Sequence, residues 1–320
     1  MKPLRSMLFV PGNKPTWVEK ALNSGADGLI LDLEDSVPHT DRTAARPMVA
    51  DALEQFHDHG PVLTVRINAL ETGLAGDDID AIVSPGLAAI LAPKIETPQD
   101  IAVLDALLTQ REHRVGLEPG HVEIYPTLET AKGVYHAYQL ATCSPRVPTL
   151  ACAAGPGGDT ARSLGYTWTK EGTETFYLRS KVLLDARAAG VTYPLITSWF
   201  DVGDLEGLKA DVGLNRQLGY SGQIVIHPSH VPIVNDAFTP TPKEIAYHQG
   251  LLEAMAEAER QGTAAVTYEG AMVDIAMLKT SRQLLELARA IAPSTRLRPP
   301  KTHSEQLDKR DWRQDMFSTK

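Results

Sequence analysis

Eight short apolar, β-branched runs alternate with amphipathic stretches along the first 230 residues, and nearly every run ends on a charged or polar side chain. The runs are Ser6–Val10, Gly28–Asp32, Val62–Ile67, Ala88–Ala92, Val122–Thr127, Thr149–Ala153, Pro194–Thr197 and Gln223–Ile226. Helical periodicity occupies the gaps, over Thr16–Ser24, Arg42–His57, Gly76–Val83, Pro98–Gln110, Thr130–Thr142, Glu174–Ala189 and Leu205–Leu218. Strands alternating with helices predict an α/β chain with a parallel sheet and helices outside it. An open doubly wound sheet usually carries a glycine-rich phosphate loop after its first strand. Here that strand runs into Pro11-Gly12-Asn13, and eight strands suit a closed (β/α)8 TIM barrel.

The strand ends favour the barrel as well. Asp32 is followed by Glu34 and Asp35, Arg66 by Asn68, Lys94 by Glu96, and the fifth and sixth strands lead to Glu129 and Gly155–Asp159. A barrel gathers these positions at one mouth, where such enzymes place their chemistry, whereas an open sheet strings them along an edge. The expected barrel domain is 1–230, followed by a helical extension over 231–292 that carries a lid. Within the extension, Pro242–Arg260 and Ala276–Ile291 read as helices, separated by the short segment TYEGAMVD that ends at Asp274. The tail 293–320 has three prolines, seven Lys/Arg and four Asp/Glu, the composition of an extended or disordered end.

Composition narrows the function. A net charge of −9 argues against a nucleic-acid or membrane-surface protein, whose footprint would be basic. Two cysteines, Cys143 and Cys152, neither staple a chain of 320 residues nor form a paired zinc motif. The short apolar run before Pro11-Gly12 resembles neither a signal peptide nor a membrane span, so a cytoplasmic protein is expected.

Several clusters carry chemistry. Asp32, Glu34 and Asp35 suit a hard metal or its waters, although a solvated helix cap is the plainer reading. Arg66 closes an apolar run and needs an anionic partner, either a substrate carboxylate or a nearby acid. Lys94 and Glu96 lie two apart and face one side if the strand continues, as substrate contacts or as a supporting salt bridge. Glu129 and Asp159 follow neighbouring strands. Two carboxylates with room for water are what Mg²⁺ prefers, and Gly157 and Gly158 allow backbone N–H groups close approach to a substrate carboxylate. His227 reads as structural, and no nucleophile elbow is present.

The segments RSMLFVPGN, DLEDSV, VRIN, PKIE, TLET, GPGGD, GYSGQIVIHPSH and EGAMVD occur in an order that resembles the citrate lyase β-subunit-like family. This family belongs to the HpcH/HpaI aldolase superfamily and includes malyl-CoA and citramalyl-CoA lyases. The resemblance implies a Mg²⁺-dependent carbon–carbon lyase (Mn²⁺ as substitute) that cleaves or forms a 3-hydroxyacyl thioester. Its partners would be a small 2-oxo or hydroxy acid and an acyl-CoA or acyl-carrier thioester. It implies metal ligands at Glu129 and Asp159, a catalytic and substrate-binding Arg66, a substrate shell around Asp32 and Glu34, and a proton-transferring lid acid at Asp274. It further implies a homotrimer or hexamer in which the extension caps a neighbour. Two alternatives remain: an aldolase acting on free 2-oxo acids, and a β-subunit inactive outside a larger complex. Three positions depart from the family pattern: Gln223 stands where lysine is common, Gly158 where glutamate often precedes the second ligand, and Ala276 where proline is usual. Loss of that lysine removes a positive charge that would assist thioester binding.

Overall fold

A computed structural model of the chain describes residues 1–197 and 199–291. The tail expected over 293–320 lies outside the described residues. Eight parallel strands close a barrel in sequence order: β1 Ser6–Pro11, β2 Gly28–Asp32, β3 Val62–Arg66, β4 Ala89–Ala92, β5 Glu123–Leu128, β6 Ala151–Cys152, β7 Leu195–Ile196 and β8 Gly222–Val225. All eight fall within a residue or two of the apolar runs read from the sequence.

Strand alternation sorts the side chains into two cores. Met7, Phe9, Ile30, Leu91, Tyr125, Leu195 and Ile224 point inward and fill the barrel. Their neighbours, among them Leu8, Leu29, Leu31, Val65, Ile90 and Ile124, face the helices and belong to the larger outer core. The inward set on β2 ends with Asp32 and that on β3 with Arg66, and the register places these two side by side. Parity alone therefore delivers both to the mouth.

The helices begin where the sequence carries starting signals. Thr97 and Asp100 form a capping box before Pro98–Val115, and Thr241 and Glu244 do the same for Pro242–Arg260. The first of these runs beyond the expected Gln110 because its stop signal is Gly116, in left-handed conformation at φ 76°. The single helix expected over Thr130–Thr142 is two, Ala131–Tyr135 and Ala137–Thr142. The break falls at His136, whose ring nitrogen bonds the Glu96 carbonyl at 2.8 Å. Two helices have no counterpart in the sequence reading, Gly158–Leu164 and Val231–Phe238. The second packs Val234 and Phe238 into the outer core, and Asn235 bonds Ser6 and the Gly25 carbonyl. Residues 231–238, which the sequence reading assigns to the extension, thus complete the eighth strand–helix unit.

The extension has a small core of its own from Leu251, Met255, Val273 and Leu278. TYEGAMVD forms a hairpin, β9 Ala265–Tyr268 and β10 Ala271–Asp274, turning at Glu269 (φ 45°) and Gly270 (φ 82°). The helix Ile275–Ile291 follows. No described helix is long and apolar enough to cross a membrane.

At the N-terminal ends of the strands, Arg146 is almost fully buried and ties Glu112 (2.7 Å) to Asp105 (2.5 Å). Glu112 also accepts the N–H groups of Gly120 and Val122. Removing one partner of a buried ion pair strands the other charge in low dielectric, at about 3–5 kcal/mol. Arg146→Met is expected to lower the urea midpoint accordingly. An unchanged midpoint would show that the network contributes nothing.

Candidate active site

The barrel mouth holds a cavity of about 470 Å³. Its polar wall comes from β2, β3, β5 and the turn after β6: Asp32, Asp35, Arg66, Thr127, Glu129 and Asp159. At its centre the Arg66 guanidinium grips the fully buried Asp32, Nε to Oδ1 at 2.6 Å and a terminal nitrogen to Oδ2 at 2.7 Å. The backbone N–H groups of Glu34 and Ser36 and the Ser36 hydroxyl complete the shell of Asp32. Burial pushes the Asp32 carboxyl up, but the Arg66 charge and these hydrogen bonds together hold it below its ordinary value. Arg66 also lies 3.3 Å from Glu34 and 3.6 Å from Asp35, and its guanidinium sits 4.7 Å from the centre of the Phe9 ring. Local acids thus supply the anionic partner that Arg66 needs.

The remaining acids are less well compensated. Burial raises Glu34 to about 7, against the opposing pull of Arg66. Burial likewise raises Glu129, although the Lys94 N–H donates to its Oε1 at 2.7 Å. Lys94 Nζ approaches Glu34 at 3.4 Å and Asp159 at 3.7 Å, so one residue touches three carboxylates. It does this from a left-handed backbone, φ 53°, which is costly for a side chain with a Cβ. That turn ends strand alternation, and Glu96 swings away to Lys132 at 3.2 Å. The supporting Lys94–Glu96 salt bridge, one of the two readings open to this pair, is not formed among the described residues. Both residues line a second cleft of about 420 Å³ that meets the main cavity at Asp159.

Asp159 stands in the first turn of Gly158–Leu164, preceded by Gly157 (φ 64°) and Gly158 (φ 68°). A side chain at either glycine would meet no neighbouring atom, so backbone conformation is what calls for glycine there. Arg162, one turn on, pairs with Asp159.

These groups test the fit of a divalent cation. Asp32, Glu34, Asp35, Glu129 and Asp159 surround Arg66, Lys94 and Arg162, an excess of two negative charges if all are ionised. No group of three or more His, Cys, Asp or Glu side chains that could hold a metal is present among the described residues. A closed cage of protein ligands is thereby absent. Two carboxylates on one cavity wall are instead compatible with Mg²⁺, which keeps several waters and takes one or two carboxylates plus substrate oxygens.

Sequence reasoning missed Phe9, Thr127, Thr197 and Phe200, which line the cavity. Strand parity on β5 would have found Thr127, two residues before Glu129. Asp274 is exposed at the end of β10 and lines neither cavity of its own chain. Gln223 lies fully buried outside the barrel wall, bonded to Asn215 at 3.1 Å and Asp211 at 3.3 Å. The loss of lysine there therefore takes no charge from the mouth. His227 caps the turn Pro228–His230 by accepting the Ser229 N–H, a structural task.

With this geometry in place, comparison with known proteins is decisive. The HpcH/HpaI aldolase/citrate lyase family matches residues 5–228. The chain belongs to this family. A citrate lyase subunit beta from Leuconostoc mesenteroides subsp. cremoris is 34% identical over 89% of this chain and 93% of its own length. An L-malyl-CoA/beta-methylmalyl-CoA lyase from Cereibacter sphaeroides is 32% identical over 91% and 96%. A (3S)-malyl-CoA thioesterase from the same species is 31% identical over 91% and 96%. Among solved structures, CitE from Mycobacterium tuberculosis with magnesium, acetoacetate and coenzyme A is 28% identical. It superposes with a TM-score of 0.69 and covers 89% of this chain and 97% of that one.

A buried carboxylate whose charge is only partly compensated costs stability. Glu129→Gln should leave the metal-free thermal midpoint unchanged or higher while abolishing calorimetric Mg²⁺ binding. Wild-type Mg²⁺ affinity in that variant would refute Glu129 as a ligand.

Proposed function

We propose that this chain is a Mg²⁺-dependent carbon–carbon lyase that cleaves or forms a 3-hydroxyacyl thioester. Malyl-CoA, citramalyl-CoA and a citryl thioester are the candidate substrates. The observation that carries this reading is the convergence of Glu129 and Asp159 on one cavity beside the Asp32–Arg66 pair. The named lyases among the relatives and the magnesium and coenzyme A of the similar CitE structure support it.

In the cleavage direction the hydroxyl on the acid-bearing carbon loses its proton, and the bond to the thioester α-carbon breaks. A 2-oxo acid leaves, and a proton returns to the α-carbon to give the acyl thioester. Glu129 and Asp159 would hold Mg²⁺, which when bound would supply Lewis-acid stabilisation of the oxygen charge that develops. Arg66 holds a fixed positive charge beside that centre. Asp32 orients it through two hydrogen bonds, which removes the reorganisation a freely rotating arginine would need. The Gly157–Gly158 turn lets the backbone approach the substrate carboxylate, and Phe9 covers one face of the guanidinium.

Asp274 serves as the proton donor to the α-carbon. Because it lines no cavity of its own chain, we place it over the mouth of a second copy in a homotrimer or hexamer. Two inactive variants then complement each other. Arg66→Met and Asp274→Asn, each inactive alone, should regain roughly a quarter of wild-type turnover when mixed at exchange equilibrium, since random pairing joins one intact mouth to one intact lid. No recovery despite proven subunit exchange would place the lid in cis.

The reaction itself is tested with the purified chain, Mg²⁺ and malyl-CoA or citramalyl-CoA, following glyoxylate or pyruvate together with acetyl-CoA. Turnover that chelation abolishes is expected, and Asp159→Ala should remove it without unfolding the chain. Release of free CoA without a 2-oxo acid would reveal thioester hydrolysis instead. Cleavage confined to 4-hydroxy-2-oxo acids would make the chain an aldolase on free acids. No turnover of any of these would point to a subunit that needs its complex.

A further inference from the structure

Asp159, one of the two proposed metal ligands, is already engaged on both oxygens. Arg162 pairs with Oδ1, and Lys94 Nζ lies 3.7 Å from Oδ2. The two cations are held very differently. Lys94 also meets Glu34 through its ammonium and Glu129 through its backbone N–H, so it belongs to the cluster with or without Asp159. Arg162 has Asp159 as its one ion-pair partner among the described residues, and its side chain keeps 73% of its surface in solvent. An ion pair that exposed is weak, holding its partners together by about fivefold at most. A divalent cation on Asp159 would meet the guanidinium as a like charge at close range. The exposed arginine is the group that yields.

The second cleft gives that side chain a place to go. Arg162 lines it, together with three acids besides Asp159: Glu71, Glu96 and Asp100. Two of the three are already committed. Glu96 holds Lys132 at 3.2 Å, and Asp100 accepts the N–H groups of Glu96 and Thr97 at the start of its helix. Glu71 stands exposed in the turn Leu70–Thr72 after β3, and its carboxylate has no hydrogen bond or ion pair among the described residues. One cleft therefore holds an acid without a partner and a cation that metal binding sets free.

We propose that Arg162 is a counter-ion switch: it neutralises Asp159 in the metal-free chain and, on metal loading, moves to Glu71 and closes the second cleft beside the mouth. The inference rests on the metal-dependent lyase reading above and adds its regulation. Apparent metal affinity then equals the intrinsic affinity of the site scaled by the fraction of chains whose Arg162 has left Asp159. Glu71 sets that fraction. In the metal-free chain the same arginine relieves the repulsion among the mouth acids.

Calorimetric Mg²⁺ binding to the wild type, Arg162→Ala, Glu71→Gln and the double variant tests the switch without relying on turnover. Both side chains are exposed, so neither substitution touches a core. Arg162→Ala should tighten Mg²⁺ binding about threefold or more, because Asp159 is then always open. Glu71→Gln should loosen binding about threefold or more in the wild type and leave it unchanged in the Arg162→Ala background. A mere loss of negative charge near the ion would act equally in both backgrounds, and that result overturns the proposal. Unchanged or weaker binding in Arg162→Ala also overturns it, since the arginine would then be indifferent to the bound ion or would be orienting its ligand. Either result leaves the lyase reading standing. No Mg²⁺ binding by any of the four proteins removes the switch and the metal reading together.

Discussion

A carboxylate with no exposed surface and a nearly buried guanidinium, side by side on neighbouring strands, set the electrostatics of the whole mouth. Neither is tolerable there alone, because transfer of a single charge from water into this interior costs several kcal/mol. Together they form a nearly neutral unit that fixes the orientation of Arg66. Burial disfavours its charge, yet Asp32, Glu34 and Asp35 hold its proton above the ordinary arginine value. Because Asp32 consumes most of this positive charge, Glu34 and Glu129 are left short of compensation. That shortage is compatible with a divalent cation at the mouth.

Lys94 shows how much the fold spends to keep that arrangement. Its left-handed backbone turns the N–H toward Glu129 and the ammonium toward Glu34 and Asp159. A residue in ordinary strand conformation would present only one of these groups to the cluster. Strain of this kind persists only where surrounding structure over-determines it, and the ends of β4, β5 and β6 do so here.

The barrel and the extension are built differently. The barrel encloses two cores, one inside the strands and one beneath the helices. The extension has one small cluster and exposes Met272, Ile275 and Met277 around Asp274. So small a core is consistent with the lid role proposed for this segment.

Much of this was legible in the residues. Short apolar, β-branched runs located all eight strands, because a run of buried residues is a local property of a chain. Turn glycines marked the approach to Asp159, whereas the pairing of Asp32 with Arg66 came from the register of β2 and β3. The resemblance to the family then singled out Glu129 and Asp159 as the proposed metal ligands, which spacing alone leaves as two separate acids. Local patterns failed where conformation departs from the regular element. The φ of Lys94 redirected both it and Glu96, and Gln223 looks outward because β8 parity gives the inward place to Ile224.

The sequence by itself determined the strand–helix alternation, the polar strand ends and hence the barrel with a charged mouth, since each depends on the period of the chain. Only the tertiary structure decided which charges neutralise each other, that Asp274 stands away from its own chain's cavity, and that Glu71 and Arg162 line one cleft. These are distances between residues remote along the chain, set by barrel closure and register rather than by any local pattern.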